Sequence, residues 1–170
     1  PNTIPSEDIQ KAYANSVGVV HVWLGLLATT GIRISELLSL KWEDIDFKTC
    51  ALEINGKGNK DRLVYTTPEY LELMRQTYER KPTEGRIFRY SEREARHMIW
   101  NALKPYSRAT QLSPHAIRHS FATSLAKQGV NVATIATILG HSRIETTQKY
   151  IDMAQMDCQA VSAQYSPLNH

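Results

Sequence analysis

The chain has 170 residues, 42% of them hydrophobic and 22% charged, which is ordinary for a soluble globular protein of one domain or two small lobes. Its formal net charge of +3 at pH 7 permits nucleic-acid binding but does not by itself argue for it. No apolar run approaches the roughly 18 residues that a membrane span needs, and no signal peptide is visible.

The first five residues are interpreted as a leader, and two helices are predicted after them. Ser6 is followed by two acidic residues, which is the pattern of an N-cap, and a helix is expected from there to about residue 15. Residues 17–29, VGVVHVWLGLLAT, are strongly apolar and predict a central buried helix. Its one polar interruption, His21, is interpreted as a satisfied core or boundary histidine rather than a catalytic one.

A short helix is predicted over residues 33–40, after a break at Thr30-Gly31, with its leucines facing inward. Arg33 and Glu36 are three residues apart and therefore share one face of this helix. From the residue types alone, a surface ion pair worth under about 1 kcal/mol is the simpler account of these two side chains.

Three short strands are predicted next, over residues 42–47, 50–54 and 61–66. The last two strands flank the turn NGKGNKD, whose asparagines and glycines are typical of a β-hairpin. The tip of the hairpin carries Lys57 and Lys60. Lysines at such a tip are either solvated charges that protect the sheet edge or long side chains that reach a phosphate.

The rest of the chain is predicted to be helical. One helix is expected over residues 68–80, and a second begins at Ser91, where the pattern Ser-x-x-Glu predicts a capping box. A third is expected over residues 115–128, with an N-cap and a first-turn proline at Ser113-Pro114. Its predicted buried stripe consists of Ile117, Phe121 and Leu125. A fourth, over residues 131–139, is expected to bury Val132, Ile135, Ile138 and Leu139, and a last helix is predicted from about residue 142.

Residues 115–150 carry side chains that suit chemistry on a phosphodiester. His115 and Arg118 lie one helical turn apart, His141 follows the break at Gly140, and Tyr150 comes nine residues later. A guanidinium binds two phosphate oxygens as a fork. A phenol can attack phosphorus once its proton is removed, and an imidazole can carry that proton.

Four segments of the chain, in order, resemble the four signature segments of the tyrosine recombinases, the phage integrase family. They are TGIRISELLSLKWEDIDF, INGKGNKDRLVYTTP, LSPHAIRHSFATSLAKQG and ILGHSRIETTQKYI, and the resemblance covers about residues 5 to 155. It implies an α+β fold, mostly α-helical with a small three-stranded antiparallel sheet, which is the fold of the catalytic domain of these recombinases.

The resemblance also implies a role for each matching residue. The positions that match the catalytic residues of the family are Arg33, Lys57, His115, Arg118, His141 and Tyr150. Glu36 matches the acidic residue that helps to hold the site. Lys60 is a close alternative to Lys57, and Lys60 and His119 are assigned to substrate binding.

The implied activity is that of a site-specific DNA recombinase. Tyr150 would attack a DNA phosphodiester and form a 3′-phosphotyrosyl bond with a free 5′-hydroxyl, so that neither ATP nor water is needed to rejoin the strand. With the phosphate surrounded by cationic and proton-donating groups, no metal and no cofactor are expected, and the sequence contains no acidic cluster of the two-metal nuclease type.

The resemblance further implies an organisation and partners. Residues 1–170 are expected to form one catalytic domain with a C-terminal tail at about 154–170, and the N-terminal core-binding domain usual in the family is not in this sequence. The expected partners are double-stranded DNA and, in the full-length protein, a homo-tetramer on paired DNA sites. A cytoplasmic location in a prokaryote is expected, with a phage or mobile-element origin and no membrane partner.

Three other interpretations are open. Residues 130–151 have the length and spacing of a helix-turn-helix, which would make the chain a DNA-binding module without catalysis. His115 and His119 have the i, i+4 spacing of zinc ligands and would join His141, but Arg118 between them disfavours a cation. A type IB topoisomerase would use similar chemistry on a single duplex, although the short hairpin and the length favour a recombinase.

Overall fold

A computed structural model describes residues 3–55, 62–77, 85–141, 147–149, 151–152 and 155. The helices over these residues are α1 (Ser6–Ala14), α2 (Gly18–Thr30), α3 (Ile34–Ser39), α4 (Pro68–Thr77), α5 (Glu92–Leu103), α6 (Pro114–Lys127) and α7 (Val132–Leu139). The strands are β1 (Ile45–Asp46), β2 (Ala51–Ile54) and β3 (Arg62–Tyr65), and they form one antiparallel sheet in the order β1-β2-β3. This architecture confirms the predicted α+β class, mostly helical with a small three-stranded sheet. Within the described ranges, none of the helices has the length and apolar character needed to cross a membrane.

The chain divides into two compact units, Pro1–Phe121 and Ala122–His170, with the boundary inside α6. The core of the first unit is built on α2, whose Trp23, Leu24, Leu26 and Leu27 are completely buried. Helices α1, α4 and α5 all pack against α2. An element enclosed on several sides needs apolar residues all round, which explains why the run VGVVHVWLGLLAT lacks the one-sided pattern of a surface helix.

One small residue of α2 lets a tyrosine pack closely against it. A Cβ atom at Gly25 would lie 2.7 Å from Cδ1 of Tyr70 and 3.1 Å from Cε1 of Tyr13. The Tyr13 ring in turn stacks on His21 with 4.0 Å between ring centroids, and Nδ1 of His21 lies 2.7 Å from the Tyr13 carbonyl oxygen. His21 is therefore a satisfied boundary residue, as its place in the sequence predicted.

The N-terminal segment does not behave as a leader. Ile4 is 1% exposed, and its backbone is bonded to the side chain of a residue far along the chain, because Ser120 on α6 accepts the Ile4 N–H at 2.7 Å and donates to its carbonyl at 2.8 Å. The prediction of a leader over residues 1–5 was wrong at Ile4. A short run before the first cap gives no local sign that a distant serine will bond to it.

The sheet is smaller than the sequence predicted. Residues Trp42–Asp44 form a 3-10 turn instead of the start of a strand, because the Asp44 carboxylate accepts the backbone N–H of Lys41 at 3.0 Å. Such a local side-chain bond competes with pairing to a neighbouring strand. Strands β2 and β3 pair from Ala51 opposite Tyr65 to Ile54 opposite Arg62. Of the predicted hairpin turn between them, residues 56–61 lie outside the described residues.

Serine side chains begin α5 and α6, as predicted. The Ser91 Oγ accepts the N–H of Glu94 at 3.1 Å, and the Ser113 Oγ accepts the N–H of Ala116 at 3.1 Å. The buried face of α6 differs from the prediction, because Phe121 and Leu125 are only half-buried. Small residues carry that face beside Ile117, and the fully or largely buried ones are Ala116, Ala122 and Ala126.

The second unit contains the end of α6 and helix α7. Asn131 caps α7 by accepting the N–H of Thr134 at 2.8 Å, and Gly140 ends the helix in the left-handed conformation with φ 73°. Ile135 and Leu139 are buried as predicted, whereas Val132 and Ile138 are half-buried. Residues 147–149 and 151–152 are helical.

Candidate active site

A cavity of about 150 Å³ lies in the first unit where the N-terminal ends of three helices meet. Its lining residues come from α3 with its N-cap, from α5 and from α6, and they are Arg33, Ile34, Ser35, Glu92, Arg96, Pro114, His115 and Arg118. Three arginines against one glutamate make the cavity electropositive. The structure thus brings together three residues that the sequence singled out, Arg33, His115 and Arg118, although 82 positions separate the first two.

Arg33 is held at the N-cap of α3 by the carboxylate of Glu36. The Glu36 Oε1 accepts the Arg33 backbone N–H at 2.8 Å, and its Oε2 lies 3.4 Å from Nη1 of the Arg33 side chain. The side chain of Arg33 is 35% exposed and that of Glu36 only 5%. The prediction of a surface ion pair was therefore wrong, because the Glu36 carboxylate is buried while the Arg33 guanidinium lines the cavity.

Glu36 is buried because a second arginine binds it. Nη1 and Nη2 of Arg62, at the start of β3, donate to Oε2 and Oε1 of Glu36 at 2.7 and 3.0 Å, and the Arg62 side chain is 7% exposed. Burial raises the pKa of Glu36, but the hydrogen bonds from Arg62 and from the Arg33 N–H outweigh burial and hold that pKa below its ordinary value. The carboxylate is therefore charged at neutral pH.

Arg118 is a buried guanidinium whose direction is set by the backbone. It is 3% exposed, and its Nη1 donates to the carbonyl oxygen of Gly31 at 2.5 Å. Gly31 ends α2 in the left-handed conformation with φ 66°, and Arg33 follows two residues later. The turn at Gly31 therefore positions both arginines. Arg33 follows it in the chain, and Arg118 binds its carbonyl oxygen.

His115 and His119 contact each other on consecutive turns of α6. Their Nε2 atoms are 2.7 Å apart and the rings meet edge to face, with 4.2 Å between centroids. A hydrogen bond between two imidazole nitrogens needs one N–H donor and one lone pair. At this contact one of the two rings therefore donates an N–H and the other accepts it. His115 is exposed in the cavity wall and His119 is half-buried.

His141 lies in the second unit, directly after α7. Its Nδ1 is 2.6 Å from the hydroxyl of Thr147, which is completely buried, and its backbone N–H donates to the carbonyl of Ala136 at 2.9 Å. The ring is half-buried and fixed at Nδ1, so Nε2 is the nitrogen directed away from this bond.

Three of the predicted site residues, Lys57, Lys60 and Tyr150, lie outside the described residues. Two residues that sequence reasoning did not select, Arg62 and Thr147, bind predicted ones. Arg62 ends the run GKGNKDR, where a third basic residue after two lysines was a signal that could have been followed. Thr147 is one of two threonines between His141 and Tyr150, and nothing local distinguishes it from its neighbour.

Comparison with known proteins agrees with this arrangement. The model of the phage integrase family matches residues 4–156. Tyrosine recombinase XerD of Staphylococcus epidermidis is 32% identical over 158 residues, which cover 85% of this chain and 53% of that protein. The chain thus spans about half the length of the curated relatives it matches.

Two solved structures share the fold. The crystal structure of XerA recombinase superposes with a TM-score of 0.79 and 27% identity, covering 98% of this chain and 66% of that one. The catalytic domain of bacteriophage HP1 integrase superposes with a TM-score of 0.67 and 25% identity, covering 99% and 97% of the two chains. The family match over nearly the whole chain, together with an electropositive cavity formed by Arg33, His115 and Arg118, establishes that this chain belongs to the phage integrase family.

Proposed function

We propose that this chain is the catalytic part of a site-specific DNA recombinase, which cleaves and rejoins DNA strands through a phosphotyrosyl intermediate. The observation that carries the proposal is the cavity in which Arg33, His115 and Arg118 meet. Two guanidiniums beside an imidazole suit one phosphodiester group, whose oxygens they would bind while a proton is moved. Tyrosine recombinases among the relatives support the same chemistry.

In the proposed reaction, Arg33 and Arg118 bind the two non-bridging oxygens of the scissile phosphate. Charge builds up on these oxygens in the pentacoordinate transition state, where fixed cationic donors are most effective. Arg118 suits this role because its bond to Gly31 fixes the guanidinium plane before DNA arrives. His141 donates a further hydrogen bond to a phosphate oxygen from Nε2, with the Thr147 hydroxyl bound at Nδ1.

The remaining groups move protons. The Tyr150 oxygen forms a bond to phosphorus and gives its proton to His115, while the bond from phosphorus to the 5′-oxygen breaks and Lys57 protonates that oxygen. The products are a 3′-phosphotyrosyl bond and a free 5′-hydroxyl, and the reverse reaction with another 5′-hydroxyl joins the exchanged strands. Lys60 and His119 contribute to DNA binding, and His119 also holds Nε2 of His115.

The proposal extends to partners and location. The partner is double-stranded DNA, supported by solved recombinase and integrase complexes with DNA that have the same fold. The longer protein acts as a homo-tetramer on paired sites, with residues 1–170 as its catalytic domain and about 154–170 as the C-terminal tail of that domain. It works in the cytoplasm of a prokaryote as part of a chromosomal, phage or mobile-element system. A helix-turn-helix module without catalysis would not account for the buried Arg118 and Glu36.

The test requires no knowledge of the target sequence. The chain is incubated with supercoiled plasmid in the presence of a chelator and without ATP, and both topoisomers and protein covalently bound to DNA are measured. We expect relaxation and an adduct with the wild-type chain and with Tyr165→Phe, a matched loss of a phenol. Tyr150→Phe should abolish both while leaving DNA affinity unchanged. An adduct that survives Tyr150→Phe, or a wild-type chain that binds DNA and forms none, would contradict the proposal.

A further inference from the structure

Arg62 has the contacts of a residue that links two parts of the active site. Its guanidinium is 7% exposed and forms a two-bond fork with Glu36, at 2.7 and 3.0 Å. The same carboxylate accepts the backbone N–H of Arg33 at 2.8 Å. One buried carboxylate thus connects the first residue of β3, Arg62, with the N-cap of α3, Arg33, and these two residues are 29 positions apart in sequence.

Arg62 lies at the end of the β2–β3 pairing, next to the turn that carries Lys57 in the sequence. Arg62 pairs with Ile54 in the register of β2 and β3, so residues 55–61 connect the two members of this pair. Lys57 follows Ile54 by three positions, which limits the separation of their Cα atoms to about 11 Å. Fixing Arg62 therefore fixes the last described pair of the two strands, and Lys57 lies between the members of that pair in the sequence.

Stability alone is a weak reason for this arrangement. A buried ion pair is often replaceable by apolar side chains of similar volume without loss of stability, because desolvation offsets the attraction between the charges. What an apolar pair does not provide is a defined direction. The planar fork of an arginine fixes both distance and angle to a carboxylate, which a flexible ammonium does not do.

We propose that Arg62 is a positioning residue. Through Glu36 it holds the β2–β3 hairpin, which carries Lys57, in a fixed position relative to the phosphate-binding Arg33. This inference rests on the proposed function, in which Lys57 protonates the leaving 5′-oxygen. Arg62 itself is not among the residues that line the cavity. Its effect on the rate should therefore pass through Lys57, which a double-mutant cycle can measure.

The experiment measures the single-turnover rate of covalent adduct formation on supercoiled plasmid with protein in excess. The variants are Arg62→Met, Lys57→Met and the double variant, with Arg62→Lys as the conservative replacement. Arg75→Met is the matched control, because it removes an arginine whose ion pair with Glu72 is exposed, with side chains 61% and 53% accessible. DNA affinity and thermal unfolding are measured for each variant.

We expect Arg62→Met to slow adduct formation by about 10- to 100-fold, because displacing a catalytic group such as Lys57 by about 1 Å has an effect of that size. DNA affinity should stay within about twofold of the wild type, and Arg62→Lys should recover part of the rate. The double variant should be no slower than Lys57→Met alone to within about twofold. Arg75→Met should react at the wild-type rate.

Several results would overturn the inference. A wild-type rate for a folded Arg62→Met would do so, as would Lys57→Met without effect or a double variant whose loss is the product of the two single losses. If Arg62→Met does not fold, the same cycle with Arg62→Lys decides by the same criterion. A wild-type chain that forms no adduct speaks against the proposed function, whereas a wild-type adduct with full Arg62→Met activity speaks against this inference alone.

Discussion

Glu36→Gln tests how much the buried Glu36 carboxylate contributes to the free energy of unfolding of the first unit. The wild-type carboxylate accepts the Arg33 N–H and both terminal nitrogens of Arg62, at 2.7 to 3.0 Å, from a position that is 5% exposed. Glutamine has the same shape but one oxygen and no charge. Its oxygen can keep the bonds to the Arg33 N–H and to Nη2 of Arg62, while its amide group then faces Nη1 of Arg62.

The expected loss of stability follows from these bonds. One charge-assisted hydrogen bond, from Nη1 of Arg62, is removed at a cost of about 1.5–3 kcal/mol, and the buried Arg62 also loses the negative charge beside it. Removing one partner of a buried ion pair has an effect of about 3–5 kcal/mol in other proteins. We therefore expect the free energy of unfolding to fall by about 3 kcal/mol or more at pH 7.

The pH dependence has a definite sign. Because the pKa of Glu36 is lower in the folded chain than its ordinary value of 4.5, its contribution to stability is complete above that value and is lost as the pH falls through the folded pKa. Glutamine does not titrate. The difference in stability between the wild type and Glu36→Gln should thus be constant from pH 6 to 8 and should shrink in acid below the ordinary value.

The assay is urea unfolding followed by tryptophan fluorescence, since Trp23 and Trp42 are both buried in the first unit. The midpoint and the slope are compared at several pH values. Glu72→Gln is the matched control, because its ion pair with Arg75 is exposed and worth about 0–1 kcal/mol. A loss for Glu36→Gln below about 1 kcal/mol, or a difference that does not shrink in acid, would refute the reasoning.

Two further predictions concern the core and the phosphate site. Gly25→Ala should lower the free energy of unfolding by about 1–3 kcal/mol, because its Cβ would overlap the Tyr70 ring, and a melting temperature equal to that of the wild type would contradict the packing described. Arg118→Lys should slow single-turnover adduct formation by about 100-fold or more, because an ammonium cannot bind a backbone carbonyl and phosphate oxygens in one plane. A variant that keeps more than about a tenth of the rate would show that the fork is not required.

Local patterns were sufficient for most elements of the fold. The apolar run of α2, the serines that begin α5 and α6, and the glycine that ends α7 act on their own neighbours in the chain, so their effects are visible in sequence. The 3-10 turn at Trp42–Asp44 was not predicted, although it too depends on a local hydrogen bond. The bond from Asp44 to Lys41 competes with a strand whose partner is not known in advance.

The candidate site was predictable in its residue types but not in its contacts. Family resemblance identified Arg33, His115 and Arg118, and the structure places them around one cavity. The bonds that orient them join residues 26 to 87 positions apart, such as Arg62 to Glu36 and Arg118 to Gly31. No periodicity in the sequence indicates which distant carboxylate or carbonyl a guanidinium will bind.

The two hydrogen bonds between the Ile4 backbone and the Ser120 hydroxyl couple the start of the chain mechanically to α6. Both polar backbone groups of Ile4 bind one hydroxyl, and that hydroxyl lies on α6 between His115 and the end of the helix, two residues after Arg118. Tension applied to the chain before residue 4 would therefore reach α6, the helix that carries His115 and Arg118 of the proposed phosphate site, directly through these two hydrogen bonds.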